Sequence, residues 1–492
     1  MRRIATVLVS ALLLSACAAP PAPPPAPFAV GCAQAAAAQP RRAAVEQGFL
    51  PTVVFADETR PASIAARMAE HRVPALSVAV IDAGALDWAA VYGRLSADGP
   101  AARCDTLFQA GSLAKPATVL AALRLERAGL IELDRDIATL LRSVQLPAGR
   151  QSASDPVTLR HLLTHTSGLT PGGYAGYAQG RAIPTLPEIV AGAPGTNSRK
   201  VEVLRKPGEQ LQYSGGGYTV AQIALQDSQA QDFEPLMRRW LFEPVGMGRS
   251  TFALQRPDAP VALGHLEGGR PVVGGWHHHP ESAAAGLWSN ASELAALLIE
   301  VWKGYHGRSA VFDPASIRAE LLGAPNAGHA YGFRLVGEGA ERFIVHYGGT
   351  TGYNAGMAIN LTTGQGAVYL ANAEAGRQLG HEFLMAVSRA YGWGQFRPTR
   401  VSRATVEAAA LDGLAGRYRF AGAGASVGVE RSEDLLTLVF PNGDRYALTP
   451  IVDAEPLQFI HASTGVRAGF ERGADGVPQL QLYGDRARRE SD

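Results

Sequence analysis

The sequence predicts an α/β protein carrying a small all-β domain at its C-terminal end, and two patterns support this. Between about residues 41 and 398, short apolar strands come first, helical periodicities fill the middle, and strands return late. Early and late strands sharing one sheet around a helical middle describe an α/β sheet with an inserted helical lobe. From about residue 405 to 492, strand-length runs alternate with Gly-rich turns, the pattern of a small antiparallel barrel or sandwich.

Taken in order, the chain opens with an export signal over residues 1–16. Arg2 and Arg3 precede an apolar stretch, Ile4 to Leu14, shorter than the ~20 residues a spanning helix needs. Leu14-Ser15-Ala16-Cys17 has the form of a bacterial lipobox, in which Cys17 is lipidated and becomes the mature N-terminus. A plain secretory signal cut at a small residue is the alternative. Residues 17–40 then read as anchor and spacer, because the proline run Pro20 to Phe28 favours extended polyproline II. The expected location is the periplasmic face of a bacterial membrane, the outer one, held by the lipid. Cys32 and Cys104 remain. An exported protein meets oxidising conditions, so they form either a disulfide or two free thiols.

In the main region, Ala62 to Glu70 has helical amphipathicity. Leu76 to Ile81 reads as a buried strand, Asp82-Ala83-Gly84 as a turn, and Leu86 to Tyr92 as the returning strand. Helical patterns run from Ala114 to Leu141. Phe343 to His346, Asn354 to Asn360 and Gly366 to Ala371 read as strands, and Glu382 to Tyr391 as a closing helix. In the tail, Tyr418 to Phe420, Leu435 to Phe440, Tyr446 to Ile451, Leu457 to Ile460, Val466 to Phe470 and Leu480 to Tyr483 are strand candidates. Asn442-Gly443 and Asp475-Gly476 are their turn signals.

Composition narrows the function. The chain is 47% hydrophobic with a net charge of +1 and no basic run, so it is globular and nucleic acid is not an expected partner. Its lysines are Lys115, Lys200, Lys206 and Lys303, and only Lys115 follows a serine at three residues. Ser112 and Lys115 therefore share one helix face, about 5–6 Å between Cβ atoms. Proline is tolerated in a helix only within the first turn, so Pro116 places Ser112 at the helix N-terminus. There free N–H groups stabilise charge on an attacked carbonyl oxygen, and a buried Lys115 can accept the serine proton.

The surrounding residues carry a resemblance. Asp105 to Lys115, with Gly111-Ser112-Leu113-Ala114-Lys115 at its end, resembles the active-site segment of class C β-lactamases and their relatives, the D-peptidases and β-lactamase-like esterases. In the family's order, Val73 to Val80 resembles its first core strand and Leu159 to Leu169 another of its segments. Pro207 to Ser214 resembles the Tyr-x-Asn region, Ala285 to Ser289 a loop-helix element, and His346-Tyr347-Gly348-Gly349 the Lys-Thr-Gly strand. The resemblance covers roughly residues 50 to 395 and implies a β-lactamase/transpeptidase-like fold. It makes Tyr213 the general base together with Lys115, and places His346 beside the site on the Gly348-Gly349 strand. It also builds the oxyanion hole from the N–H groups of Ser112 and Gly349. Gly215 stands where relatives carry the substrate-binding Asn, and His346 where many carry Lys. Both departures lean from β-lactams and D-Ala-D-Ala peptides toward esters or less typical amides.

The expected activity is hydrolysis of a small ester or amide through an acyl-enzyme, without cofactor or metal, on substrates that include peptidoglycan-derived ones. A D-amino-acid peptidase, a D-Ala-D-Ala carboxypeptidase and a weak β-lactamase are alternatives. From another class comes an inactive lipoprotein that binds peptidoglycan or a partner. Gly424 to Gly428 fits G-x-S-x-G but lacks a following helix, and reads instead as a Gly/Ala-rich turn. His277-His278-His279 cannot all face one ion, and His161 and His165 lack the Glu of a zinc motif.

Overall fold

The computed structural model describes residues 29–57, 60–255, 259–323, 329–420, 426–432, 435–441, 443–453 and 457–490. Cys17 and the proline run lie outside the described residues. No helix among the described residues is long and apolar enough to cross a membrane.

The central sheet has eight strands in the order Ala29–Gln34, Ala85–Gly93, Ala75–Asp82, Gly366–Ala371, Tyr353–Asn360, Phe343–Thr350, Phe333–Val336 and His329–Ala330. All neighbours are antiparallel. The early and late strands meet at its centre, where Ala79 faces Val368. Along Ala75–Asp82, Ala75, Ala79 and Ile81 enter one apolar cluster and Leu76, Val78 and Val80 the other. This two-residue period on a sheet covered on both faces makes the strand read as a nearly continuous apolar run. Helices Ala114–Arg127 and Ala291–Tyr305 contribute to the first cluster, and helix Gly376–Tyr391 to the second. Each large apolar side chain buried this way stabilises by about 1.5–3 kcal/mol. Helix Ile64–Glu70 is tied to the closing helix by Arg67 Nε, which donates to the buried Glu382 carboxylate at 2.7 Å.

Three elements differ from the sequence expectation. Ala29–Gln34, expected within the spacer, is an edge strand pairing with Ala85–Gly93, and Cys32 is bonded to Cys104 with Cα atoms 5.4 Å apart. The segment has little pattern of its own; its partner strand supplies the pairing. The helical pattern from Ala114 stops at Arg127, because Gly129 turns left-handed at φ +70°. The closing helix starts at Gly376, earlier than expected. Gly380 weakens its local propensity, yet a Cβ there would lie 2.0 Å from the Tyr369 ring, so packing requires glycine.

The C-terminal domain is a closed eight-stranded barrel, each strand antiparallel to the next and the last pairing back to the first through Tyr418 and Arg489. Two of its strands are not among the six expected. Ser426–Ser432 was expected to begin as a turn, but Ser426, Val427 and Gly428 pair with the preceding strand. Asp485–Arg489 carries one inward apolar residue, Ala487, too little for a strand signal. Tyr418, Leu436, Phe459, Phe470 and Leu480 fill the interior, as a barrel of this size allows. The barrel packs on the main domain around Val53, Phe55, Val401, Ile451 and Ile460, where Thr399–Val401 pairs in parallel with Val53–Phe55.

Candidate active site

Strand Phe108–Gly111 ends against the central sheet and delivers Ser112 into the turn ahead of helix Ala114–Arg127. The approach is tight. A Cβ on Gly111, at φ +54°, would lie 2.8 Å from Gly349 N, and one on Gly348 would lie 2.1 Å from Ala110 O and 3.1 Å from Ser112 N. Side chains are excluded at both positions, so the backbones carrying the Ser112 and Gly349 N–H groups are held side by side.

Lys115 is buried at 2% exposure. Its Nζ donates to Ser112 Oγ at 3.2 Å and to the Ala284 carbonyl at 2.7 Å. Loss of hydration lowers its pKa, while the Tyr213 phenol opposes this through charge and a hydrogen bond. Tyr213 is 44% exposed, with its ring centroid 4.8 Å from Lys115 Nζ. The Tyr218 ring centroid lies 5.5 Å from the same atom. A partly dehydrated lysine touching a serine hydroxyl, with a phenol beside it, can remove the serine proton.

His346 lies on strand Phe343–Thr350, is 5% exposed, and has no partner for Nδ1 among the described residues. Burial and the Lys115 charge push it down to about 3, so near neutral pH this ring is uncharged. Gly215 begins helix Gly215–Gln229. A Cβ there would lie 3.1 Å from both the Gly172 carbonyl and the Tyr174 ring, so an asparagine would need these neighbours to yield.

Other polar groups differ in whether they find partners. Glu281 is fully buried, both carboxylate oxygens lack a partner among the described residues, and burial pushes it up to about 7. It stands three residues before Ala284. The histidine triplet divides: His277 and His278 bond through Nδ1 to the Ala175 and Leu254 carbonyls, while His279 is buried with neither ring nitrogen partnered among the described residues. His161 Nδ1 accepts the Thr158 N–H in a helix cap. Among the described residues no group of three or more His, Cys, Asp or Glu side chains is placed to hold a metal ion.

The model of the family described as Beta-lactamase matches residues 62–390, from before the first core strand to the closing helix. The chain belongs to the beta-lactamase family. This is a family of serine hydrolases with penicillin-binding relatives. Similar proteins include penicillin-binding protein 4* of Bacillus subtilis, 22% identical over 79% of this chain and 88% of that protein. Another is the ML-236A carboxylate methylbutanoyltransferase mlcH of Penicillium citrinum, 30% identical over 32% of this chain and 41% of that one. The chain spans only half to three-fifths of the length of other curated relatives. Among solved structures, the octameric penicillin-binding protein homologue from Pyrococcus abyssi superposes with a TM-score of 0.57 at 21% identity, covering 86% of this chain and 97% of that one. That likeness is one of fold.

Within this beta-lactamase-family site, the structure brings Ser112, Lys115, Tyr213, His346, Gly348 and Gly349 to one place, with Gly215 two residues beyond Tyr213. Sequence reading missed the Ala284 carbonyl, Glu281 and His165, whose buried ring accepts the Ser214 N–H through Nδ1 at 3.0 Å. A backbone acceptor leaves no residue signal. Glu281 had one in principle, as an acidic residue just ahead of the small, buried run Ser282 to Ala285.

Proposed function

We propose that this protein is an exported serine hydrolase that forms an acyl-enzyme on Ser112 and favours esters. The carrying observation is the dehydrated Lys115 amine at 3.2 Å from Ser112 Oγ. In this reading the Lys115–Tyr213 unit takes the hydroxyl proton as Oγ attacks the substrate carbonyl. The Ser112 and Gly349 N–H groups receive the developing oxyanion. The proton passes to the departing alkoxide, and water then attacks the acyl carbon to release the acid and restore Ser112.

Two features support ester preference. Gly215 offers no side-chain amide to a substrate's acylamino group, and Tyr174 already occupies the space beside it. Leaving such an amide unpaired costs about 1–3 kcal/mol, or roughly 5- to 150-fold. His346, held neutral, supplies no fixed cation for a substrate carboxylate. Similarity to an acyltransferase fits acyl-ester chemistry. The match to penicillin-binding protein 4* over 79% of the chain favours the second reading, a D-amino-acid peptidase or weak β-lactamase acting on peptidoglycan-derived amides. In the same proposal Cys17 carries a lipid that holds the enzyme at the periplasmic face of the outer membrane. Loss of palmitate incorporation in Cys17→Ala tests that point.

Intact-mass analysis after incubation with p-nitrophenyl esters, β-lactams and D-amino-acid amides decides among the readings. Ester turnover with an acyl adduct on Ser112 is the expected result. Efficient β-lactam or D-amide turnover without ester hydrolysis favours the second reading. No adduct with any member of the panel, and no turnover, leaves the binding lipoprotein.

A further inference from the structure

Tyr213 stands 44% exposed at the mouth of the site, so bulk packing alone does not fix the ring that the acylation reading needs. What grips it is a buried residue from the segment Leu159 to Leu169. His165 is 4% exposed and holds φ +60°, the left-handed region that few non-glycine residues occupy. Its carbonyl accepts the Gln212 N–H at 2.7 Å. Its ring Nδ1 accepts the Ser214 N–H at 3.0 Å. Its ring lies on the Tyr213 ring with centroids 4.4 Å apart and planes 33° apart. One residue thus holds the position before Tyr213, the position after it, and Tyr213 itself.

The grip has a rigid backing. Tyr218 lies 5.1 Å from the His165 ring, and its hydroxyl donates to the Leu163 carbonyl at 2.8 Å, in the same turn. Ser214 Oγ accepts the Gly217 N–H at 2.7 Å and caps the helix that follows, so the residue after Tyr213 is held from both its side chain and its N–H. Because Nδ1 accepts, the neutral ring carries its proton on Nε2. The groups facing it, Lys115, His346 and His329, disfavour a second proton, as does burial. The neutral ring keeps Nδ1 free to accept.

We infer that His165 is a positioning residue for Tyr213: it sets the angle and depth of the phenol over Lys115 through two backbone hydrogen bonds and a ring contact, and touches no reacting atom. The inference rests on the reading that Ser112, Lys115 and Tyr213 acylate as a unit.

The test is a double-mutant cycle read by the rate of labelling with a fluorophosphonate probe. His165→Phe keeps a ring but removes the acceptor and strains the left-handed backbone. His165→Asn removes the ring but keeps an acceptor in Oδ1 and tolerates that backbone. We expect His165→Phe to lose about 100-fold in the maximal labelling rate, as a misplaced group does, with little change in half-saturating probe concentration. His165→Asn should lose less. In a Tyr213→Phe background, either substitution should add almost nothing. If His165→Phe does not fold, as its melting curve will report, the His165→Asn cycle carries the test. Equal losses in both backgrounds, or a loss confined to half-saturation, would overturn the inference while leaving serine acylation intact. A wild-type protein that takes no label would sink both.

Discussion

The main domain and the barrel solve the same burial problem in opposite ways. Around its interior the barrel packs Leu436, Leu438, Phe459, Phe470 and Leu480, and among the described residues none of its buried side-chain polar atoms lacks a partner. The main domain buries Lys115 and, among the described residues, leaves atoms of His165, His279 and His346 unpartnered near it and those of Glu281 unpartnered three residues before Ala284. Each such group costs about 1–3 kcal/mol. A domain bears that cost where reactivity needs a dry, polar interior, and the surrounding apolar clusters supply the surplus. Among the described residues, the unpartnered polar atoms lie in the domain that the beta-lactamase family model matches, and none lies in the barrel.

The contrast breaks if chemistry survives the loss of its centre. Ser112→Ala should lower ester turnover by about four to six orders of magnitude, and fluorophosphonate labelling should vanish. Label that persists and maps to Ser426 in the barrel would reverse the assignment. Next in size, Lys115→Ala and Tyr213→Phe should each cost about 10²–10⁴-fold. Their double mutant should be little worse than the weaker single, because the two act as one unit. Losses that multiply would separate their roles.

The barrel offers the converse measurement. Phe470→Ala removes a ring that is 2% exposed and should cost about 3–5 kcal/mol of barrel stability by denaturant unfolding, with kcat/KM per folded molecule unchanged. A fall in kcat/KM would mean that the barrel contributes to the site.

A smaller effect sharpens the account of Glu281. Its carboxyl is pushed from an ordinary 4.5 up to about 7 by burial. An acid with a raised folded pKa binds its proton more tightly when folded. Its contribution to stability is therefore full below the unfolded pKa and is lost as pH rises to the folded one. Relative to Glu281→Gln, the wild type should lose roughly 3 kcal/mol between about pH 4.5 and 7.5, measured as the difference of two urea-unfolding series. Parallel series would show that Glu281 is not the titrating group.

How much of this could be read from residues alone follows the same division. Ser112, Lys115 and Pro116 are close in sequence, so spacing and helix rules placed them. The strand Ala75–Asp82 was readable because its apolar run is long enough to stand alone. His165 and Glu281 were not, since their roles depend on partners, or on the lack of them, far along the chain. The obstruction at Gly215 is of the same kind: Tyr174 reaches it only in the folded molecule. In the barrel, strands with several inward apolar residues were visible, while Asp485–Arg489, with Ala487 alone facing in, was not. Ala29–Gln34 owes its pairing to Ala85–Gly93 rather than to its own composition.

That edge strand has a mechanical consequence. Cys32 lies three residues into Ala29–Gln34 and is bonded to Cys104. A pull on the N-terminus, as in an optical trap, reaches this covalent link before the rest of the strand can peel from Ala85–Gly93. The load passes into the loop ahead of Phe108–Gly111 and from there into the body of the domain. Reduction of the bond would leave the strand to unzip one hydrogen bond at a time, so single-molecule stretching should show a low-force step at the N-terminal end only under reducing conditions.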